Sequence, residues 1–193
     1  MIVFFDVGNV ILPRMQRHID NIATAGHLNS NIVAQALPLI HELQRGELTE
    51  AEFWKSFKRC TGQLPTNYKT LWSESFTFSP DKKVLGIAQK LREQGTYTGI
   101  LSNTIAPHAK ILRAYGLYDG FEPVILSCEV KARKPEKKIF EIAAKKAGVL
   151  LHECVHIDDD PEFVKAAKAG GMDAILYKNP EQLTKELQKR RLL

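Results

Sequence analysis

Apolar and polar positions follow two regimes along this chain. Ile2-Val3-Phe4-Phe5 is a short continuous apolar run that ends at Asp6 and the turn-forming Gly8-Asn9 pair. Such a run predicts a strand buried on both faces of a parallel sheet. From Pro13 to about Ser79 the period is helical and no strand is expected. His18 to Ala25 forms one amphipathic piece, Asn31 to Gln44 a longer one, and Gly46 a break. Thr49 then offers an N-cap with Glu52 at N3, a capping box that opens a helix ended by Gly62. Tyr68 to Ser75 predicts a last short helix. Both tryptophans and Phe53, Phe57, Phe76 and Phe78 fall in this stretch, which predicts a small aromatic core of its own rather than a ligand cage.

After Ser79 the pattern becomes regular. Ser79-Pro80-Asp81 reads as an N-cap with proline at N1, and the helix it opens stops at Gly95. Strands are expected at Tyr97–Leu101, Pro123–Leu126, Cys154–Ile157 and Met172–Tyr177. Helices are expected from Pro107 to Gly116, Pro135 to Gly148, Pro161 to Ala169, and from Pro180 onward. Strands alternating with helices predict βαβ units. The expectation is a Rossmann-like, doubly wound α/β parallel sheet, built from residues 1–13 and 80–193, with a helical insertion over 14–79.

Composition narrows the class. With 44% apolar and 25% charged residues in 193, one globular domain with room for an insertion is expected. No apolar run reaches the ~18 residues of a membrane span. Asp6 interrupts the only N-terminal apolar run, so no secretory signal is read there. Cys60, Cys128 and Cys154 are odd in number and lack CxxC spacing, which argues against a disulfide framework or a zinc site and makes cytoplasm the expected location. The net charge of +5 suits anionic ligands. Its cations mostly interleave with acidic and apolar residues, and no nucleic-acid signature is present, so neither nucleic acid nor a membrane is an expected partner.

In a parallel sheet the carboxyl ends of all strands share one edge, so residues distant in sequence meet there. Those ends carry Asp6, then Ser102-Asn103-Thr104, then Asp158-Asp159-Asp160, with Lys134 before the intervening helix. Singly each has a plain explanation. Asp6 could end a strand, Lys134 could lie on the surface, and Asp160 before Pro161 reads as an N-cap. Together, crowded carboxylates that need a cation, a hydroxyl and a lysine describe a metal-assisted phosphoryl-transfer site. His108, one turn into its helix, reads as a surface histidine or a substrate contact. Arg14 stands where it could reach a leaving group.

These motifs resemble the haloacid dehalogenase-like (HAD) hydrolase superfamily. Phe4-Phe5-Asp6-Val7-Gly8-Asn9-Val10 is similar to its first motif, and Gly99-Ile100-Leu101-Ser102-Asn103 to its second. Arg133-Lys134-Pro135 is similar to the third, and Val155-His156-Ile157-Asp158-Asp159 through Met172 to the fourth. The helical insertion matches the α-helical cap of one class. The resemblance implies that Asp6 is a nucleophile forming an aspartyl-phosphate. It implies Mg²⁺ held by Asp6, the Gly8 carbonyl and Asp159, with Asp158 behind them or as an alternative ligand. Ser102, the backbone of Asn103 and Lys134 would hold the phosphoryl group of a small phosphorylated substrate.

Two positions depart from that pattern. Gly8 stands where most HAD phosphatases carry a second Asp that protonates the leaving group, a task glycine cannot perform. An Asp-x-Gly-Asn-Val signature also looks like the branch that includes sugar-1-phosphate phosphatases, and anomeric or acyl leaving groups need least protonation. Phe163 replaces an acid or Asn and thins the outer shell of a metal site. Two alternatives therefore stand beside the phosphatase: a metal-free 2-haloacid dehalogenase, and a HAD-fold binding or regulatory protein without turnover.

Overall fold

The structure is a computed structural model that describes residues 1–193. Five parallel strands, β1 (Ile2–Phe5), β2 (Tyr97–Ser102), β3 (Val124–Leu126), β4 (Cys154–Asp158) and β5 (Asp173–Leu176), form one sheet in the order β3-β2-β1-β4-β5. The chain steps outward from β1 to β2 and β3, then crosses to β4 on the other side. This makes β1 the switch point, and the crevice outside its carboxyl end is where such sheets bind ligands.

Burial on both faces explains the apolar run. Val3 and Phe5 pack into one core cluster with α6 (Lys82–Glu93), α7 (Ala106–Ala114) and α11 (Pro180–Lys189). Ile2 and Phe4 pack on the opposite face with α9 (Lys137–Ala147) and α10 (Pro161–Ala169). Gly99 in β2 is required by this packing: a Cβ there would lie 2.7 Å from the Phe4 ring and 2.8 Å from the Pro123 carbonyl oxygen. No helix is long and apolar enough to cross a membrane.

Five helices lie between β1 and α6: α1 (His18–Ala25), α2 (Ser30–Ala34), α3 (Leu37–Gln44), α4 (Glu50–Thr61) and α5 (Leu71–Glu74). They gather their own buried cluster around Phe53, Trp54, Phe57 and Trp72, as the aromatic content predicts. The two indoles stack with centroids 5.4 Å apart. Ile105 from the loop after β2 is part of the same cluster, which fastens these helices to the sheet. The capping box forms as expected, with the Thr49 side chain accepting from the Glu52 N–H and Glu52 accepting from the Thr49 N–H. Gly62 closes the helix at φ 73°, a left-handed conformation that glycine adopts without steric cost.

Several boundaries differ from expectation. The single helix over 31–44 is two, because Pro38 lacks an N–H and its ring excludes a continuing turn, so α3 restarts with proline in its first turn. The helix after Ser79 is capped by Asp81, whose carboxylate accepts from Lys83 N (2.8 Å) and Val84 N (3.4 Å). The 68–75 segment is helical only over α5, and the helix expected from Pro135 begins at Lys137. A short helix, α8 (Ser127–Val130), escaped the periodicity because four residues carry no period.

Candidate active site

The strand ends converge as the parallel topology requires. Register pairing sets Phe5 beside Ile100 and Ile157, so the residues that follow in each strand open onto one edge. The Asp6 N–H donates to the Ile157 carbonyl at 2.9 Å, which carries the β1–β4 pairing to the carboxylate itself. Ligand atoms of Asp6, Asp158 and Asp159 lie within 4.8 Å of one another.

Lys134 enters this acidic cluster from the loop before α9. It is 0% exposed, and the reason is its partners. Nζ lies 3.0 Å from Asp6 Oδ1 and 2.5 Å from Asp158 Oδ2, and donates to the Leu101 carbonyl at 3.1 Å. The loop is pinned by a reciprocal amide pair. Asn103 Nδ2 donates to the Lys134 carbonyl at 2.9 Å, and the Lys134 N–H donates to Asn103 Oδ1 at 2.8 Å. Thus Asn103 acts through its side chain on Lys134. Phe163, noted above as a departure, faces the same ammonium with its ring centroid 5.3 Å from Nζ, a cation–π distance that also keeps water away.

The three carboxylates are not equivalent. Burial raises the Asp6 pKa above the ordinary range, with Lys134 opposing and Asp158 adding to the shift. Asp158 is fully buried, yet Lys134 and His156 together overcome the desolvation and hold it well below the ordinary range. Its Oδ2 accepts from His156 Nε2 at 2.9 Å and its Oδ1 from the Asp160 N–H at 2.9 Å. Asp158 therefore accepts from three protein donors, Lys134, His156 and the Asp160 N–H. Asp159 is half-buried and faces the open side; burial and repulsion from Asp6 and Asp158 push it up to about 6. Burial lowers the Lys134 pKa, but the two neighbouring carboxylates more than compensate and hold it above its usual value. Asp160 is the N-cap of α10, accepting from the Glu162 N–H at 2.8 Å, as its place before Pro161 predicts.

A cavity of about 530 Å³ opens over this edge, lined by Asp6, Gly8, Ser102, Asn103, Lys134 and Asp159 from the strand ends. This size falls within the range of small-molecule sites. Its far wall comes from the helical insertion, with His18, Leu37, Ile40, His41 and Gln44, and from Phe76 and His108. Asn9 sits at φ 54°, its Oδ1 accepting from the Met15 N–H at 2.9 Å. This turn brings the chain back over the site.

His108 is not a surface residue. It is 4% exposed, its ring stacks on Phe76 (3.8 Å) and lies nearly parallel to His18 (5.1 Å), and its Nε2 donates to the Trp72 carbonyl. Helical periodicity places it on an outer face, and only the insertion packed there buries it. Arg14 is exposed and does not line the cavity. Sequence reasoning missed His156, which the two-residue period of β4 places on the same face as Asp158. It also missed Gln44, His18 and Arg133, for which only the packing of the insertion gives a signal. The three cysteines are free, as expected.

Comparison with known proteins gives the family and the fold. The family model described as haloacid dehalogenase-like hydrolase matches residues 1–171. Sesquiterpene phosphatase astK of Aspergillus oryzae is 28% identical over 143 residues, covering 66% of this chain and 73% of that protein. Mouse acyl-CoA dehydrogenase family member 10 is 25% identical over 202 residues, covering 96% of this chain but only 18% of its own length. Among solved structures, the HAD family enzyme BT-2542 from Bacteroides thetaiotaomicron, in complex with magnesium and inorganic phosphate, aligns with a TM-score of 0.72 at 27% identity. The alignment covers 92% of this chain and 93% of that one.

Proposed function

The chain belongs to the haloacid dehalogenase-like hydrolases, and from that premise we propose that it is a Mg²⁺-dependent phosphatase of small phosphorylated metabolites, with sugar phosphates favoured. The observation that carries the reading is the buried Lys134, ion-paired to Asp6 at the mouth of a cavity that also presents Asp159. A lysine held this way neutralises an incoming phosphoryl group while fixing the orientation of the attacking carboxylate.

Asp6 attacks phosphorus in line, forming an aspartyl-phosphate as the P–O bond to the leaving group breaks and the alkoxide departs to take its proton from water. A second water then attacks the same phosphorus, the bond to Asp6 breaks, and inorganic phosphate and the free carboxylate result. Ser102 and the backbone of Asn103 bind the transferring oxygens, and Lys134 compensates their charge. The donors available to a cation are all hard oxygens: Asp6, the Gly8 carbonyl and Asp159. That set suits Mg²⁺. The ion, when bound, would offset the charge on Asp6, Asp159 and the phosphoryl oxygens. Asp158, whose oxygens already accept from Lys134, His156 and Asp160, serves to hold Lys134 rather than to bind the ion first-hand. BT-2542, a related fold that binds magnesium and phosphate, supports the same assignment. The helices over 14–79 act as the cap, closing over substrate and excluding water.

Gly8 offers no acid to the leaving group, so esters whose leaving group is already stabilised, anomeric sugar phosphates first, react best. The test is a panel of anomeric, acyl and alkyl phosphates assayed with Mg²⁺ beside Asp6→Asn. We expect turnover that needs Mg²⁺, falls by more than about 10³-fold in Asp6→Asn, and favours anomeric over alkyl esters. Halide release from a 2-haloacid in excess EDTA, or ligand binding without turnover anywhere in the panel, would refute it.

A further inference from the structure

Three Lys or Arg side chains line the cavity, and they differ in how their charge is met. Lys134 is paired with Asp6 and Asp158, and Arg17 with Asp20. Arg133 has no ion pair at all. It is half-buried, as are Arg45, Arg92 and Arg190, and of these four only Arg45 and Arg190 are ion-paired. Arg45 is held by Glu47 and Glu136, Arg190 by Asp173 and Glu186, and Arg92 lies over the Phe121 ring while donating to Thr98.

The guanidinium is nonetheless positioned. Arg133 Nε donates to Gln44 Oε1 at 3.0 Å, and this bond fixes the orientation of the buried Gln44 amide. Gln44 Nε2 must then donate to His18 Nδ1 at 3.2 Å. Glu136, the nearest acid in sequence, is already engaged by the Arg45 side chain and by the Arg133 backbone N–H. Glu162, the other acid close enough to influence Arg133, is exposed and forms no bond with it. With Nε committed to Gln44, both Nη nitrogens remain without a protein partner beside the cavity.

A planar fork of unengaged donors, partly desolvated and held by a buried amide, is suited to bidentate recognition of a carboxylate or phosphate. We propose that Arg133 binds a second anionic group on the leaving part of the substrate. The preferred substrates are then sugar phosphates that carry a carboxylate or a further phosphate besides the phosphoryl group transferred to Asp6. Gln44 is a positioning residue: it sits on α3 of the insertion and sets the guanidinium, so selectivity is built across the seam between insertion and sheet. This inference rests on the phosphatase reading, because it names the other end of the same substrate.

The experiment compares glucose 1-phosphate, glucuronic acid 1-phosphate and glucose 1,6-bisphosphate, which share the anomeric leaving group and differ only at the far carbon. We expect wild-type kcat/KM for release of the anomeric phosphate to be about 10–100-fold higher for the two anionic compounds, chiefly through KM. The carboxylate and phosphate arms tell which anion is taken. Arg133→Gln should erase the preference while leaving glucose 1-phosphate within about threefold, and Gln44→Leu should weaken it in the same direction but less. Equal handling of all three compounds by the wild type would overturn the proposal. So would a parallel loss on all three in Arg133→Gln. Calorimetric binding of the same compounds to Asp6→Asn separates the two readings. Preferential binding there would sustain the Arg133 assignment even if no turnover were found, and turnover without preference would sustain only the phosphatase.

Discussion

Two regions of this molecule bury ionisable groups, and they do so in opposite ways. At the sheet edge the groups stay charged: Lys134 sits between Asp6 and Asp158, and the carboxylate with the most donors, Asp158, has its pKa driven down. At the seam between insertion and sheet they stay neutral. Burial, with Arg133 nearby, drives His18 to about 4, and burial beside His18 drives His108 to about 3. The difference lies in the partners each topology supplies. Converging strand ends bring opposite charges together, so at Asp158 and Lys134 ion pairing outweighs desolvation, while burial still raises Asp6 and Asp159. The seam supplies aromatic rings and carbonyls, Phe76, Trp72 and the Trp72 carbonyl, which accommodate a neutral imidazole only. The charges that face the transferred group thus gather at one edge, and the His18–His108 part of the wall opposite is shaped by packing.

Removing the central cation breaks the comparison most directly. In Lys134→Met the buried Asp6 and Asp158 lose their counter-charge, and we expect a stability loss of about 3–5 kcal/mol, read by urea unfolding in excess EDTA. Mg²⁺ should restore part of it by supplying charge to the same edge. An unchanged unfolding midpoint would mean that the sheet-edge charges are not compensated by Lys134.

Gly8 gives a gentler change at the same edge. A Cβ there would lie 3.9 Å from Asp6 Oδ2 and 4.0 Å from Met15 Cβ, ordinary contact distances, so a side chain can leave the backbone at Gly8 without a clash at its first atom. We expect hydrolysis of alkyl phosphates such as glycerol phosphate to rise about 10²-fold, the low end of general-acid catalysis. Anomeric phosphates should change much less. An equal rise on both classes would mean that leaving-group protonation does not limit the wild type.

The smallest effect tests the seam. Because the folded pKa values of His18 and His108 lie below the unfolded value of 6.5, the unfolded chain binds more protons as pH falls below 6.5. Stability contributed by this burial is complete above that value and is lost progressively toward pH 4 and then 3. Asp159, pushed up to about 6, works in the other direction on acidification, so the informative readout is a difference. The fall in Tm between pH 7 and pH 5 should be about 3–5 °C smaller in His108→Gln than in the wild type. Identical pH profiles would show that His108 is not held neutral by the seam.

How much of this was legible along the chain depended on period. The strand runs, the helix stops at Gly62 and Gly148, and the caps at Thr49 and Asp160 are local signals, and each forms as read. Asp6, Ser102, Asn103, Lys134, Asp158 and Asp159 were legible as a set because a parallel sheet has only one carboxyl edge on which they can meet. His108 was misplaced because one helix's periodicity cannot report what another helix lays over it. Asp158 and Asp159 are neighbours with the same chemistry, yet one faces Lys134 and the other the cavity; strand alternation separates them, and only the position of Lys134 says which stays engaged.

The sequence by itself determined the alternation of strands and helices, and with it the edge where the acids, the hydroxyl and the lysine gather, because these follow from periods of two and 3.6 and from the geometry of parallel crossovers. Tertiary structure alone decided the state of each group at that edge and the makeup of the opposite wall. Charge, burial and tautomer depend on partners far away in the chain: Gln44 lies 89 residues from the Arg133 it holds, and no local pattern encodes that distance.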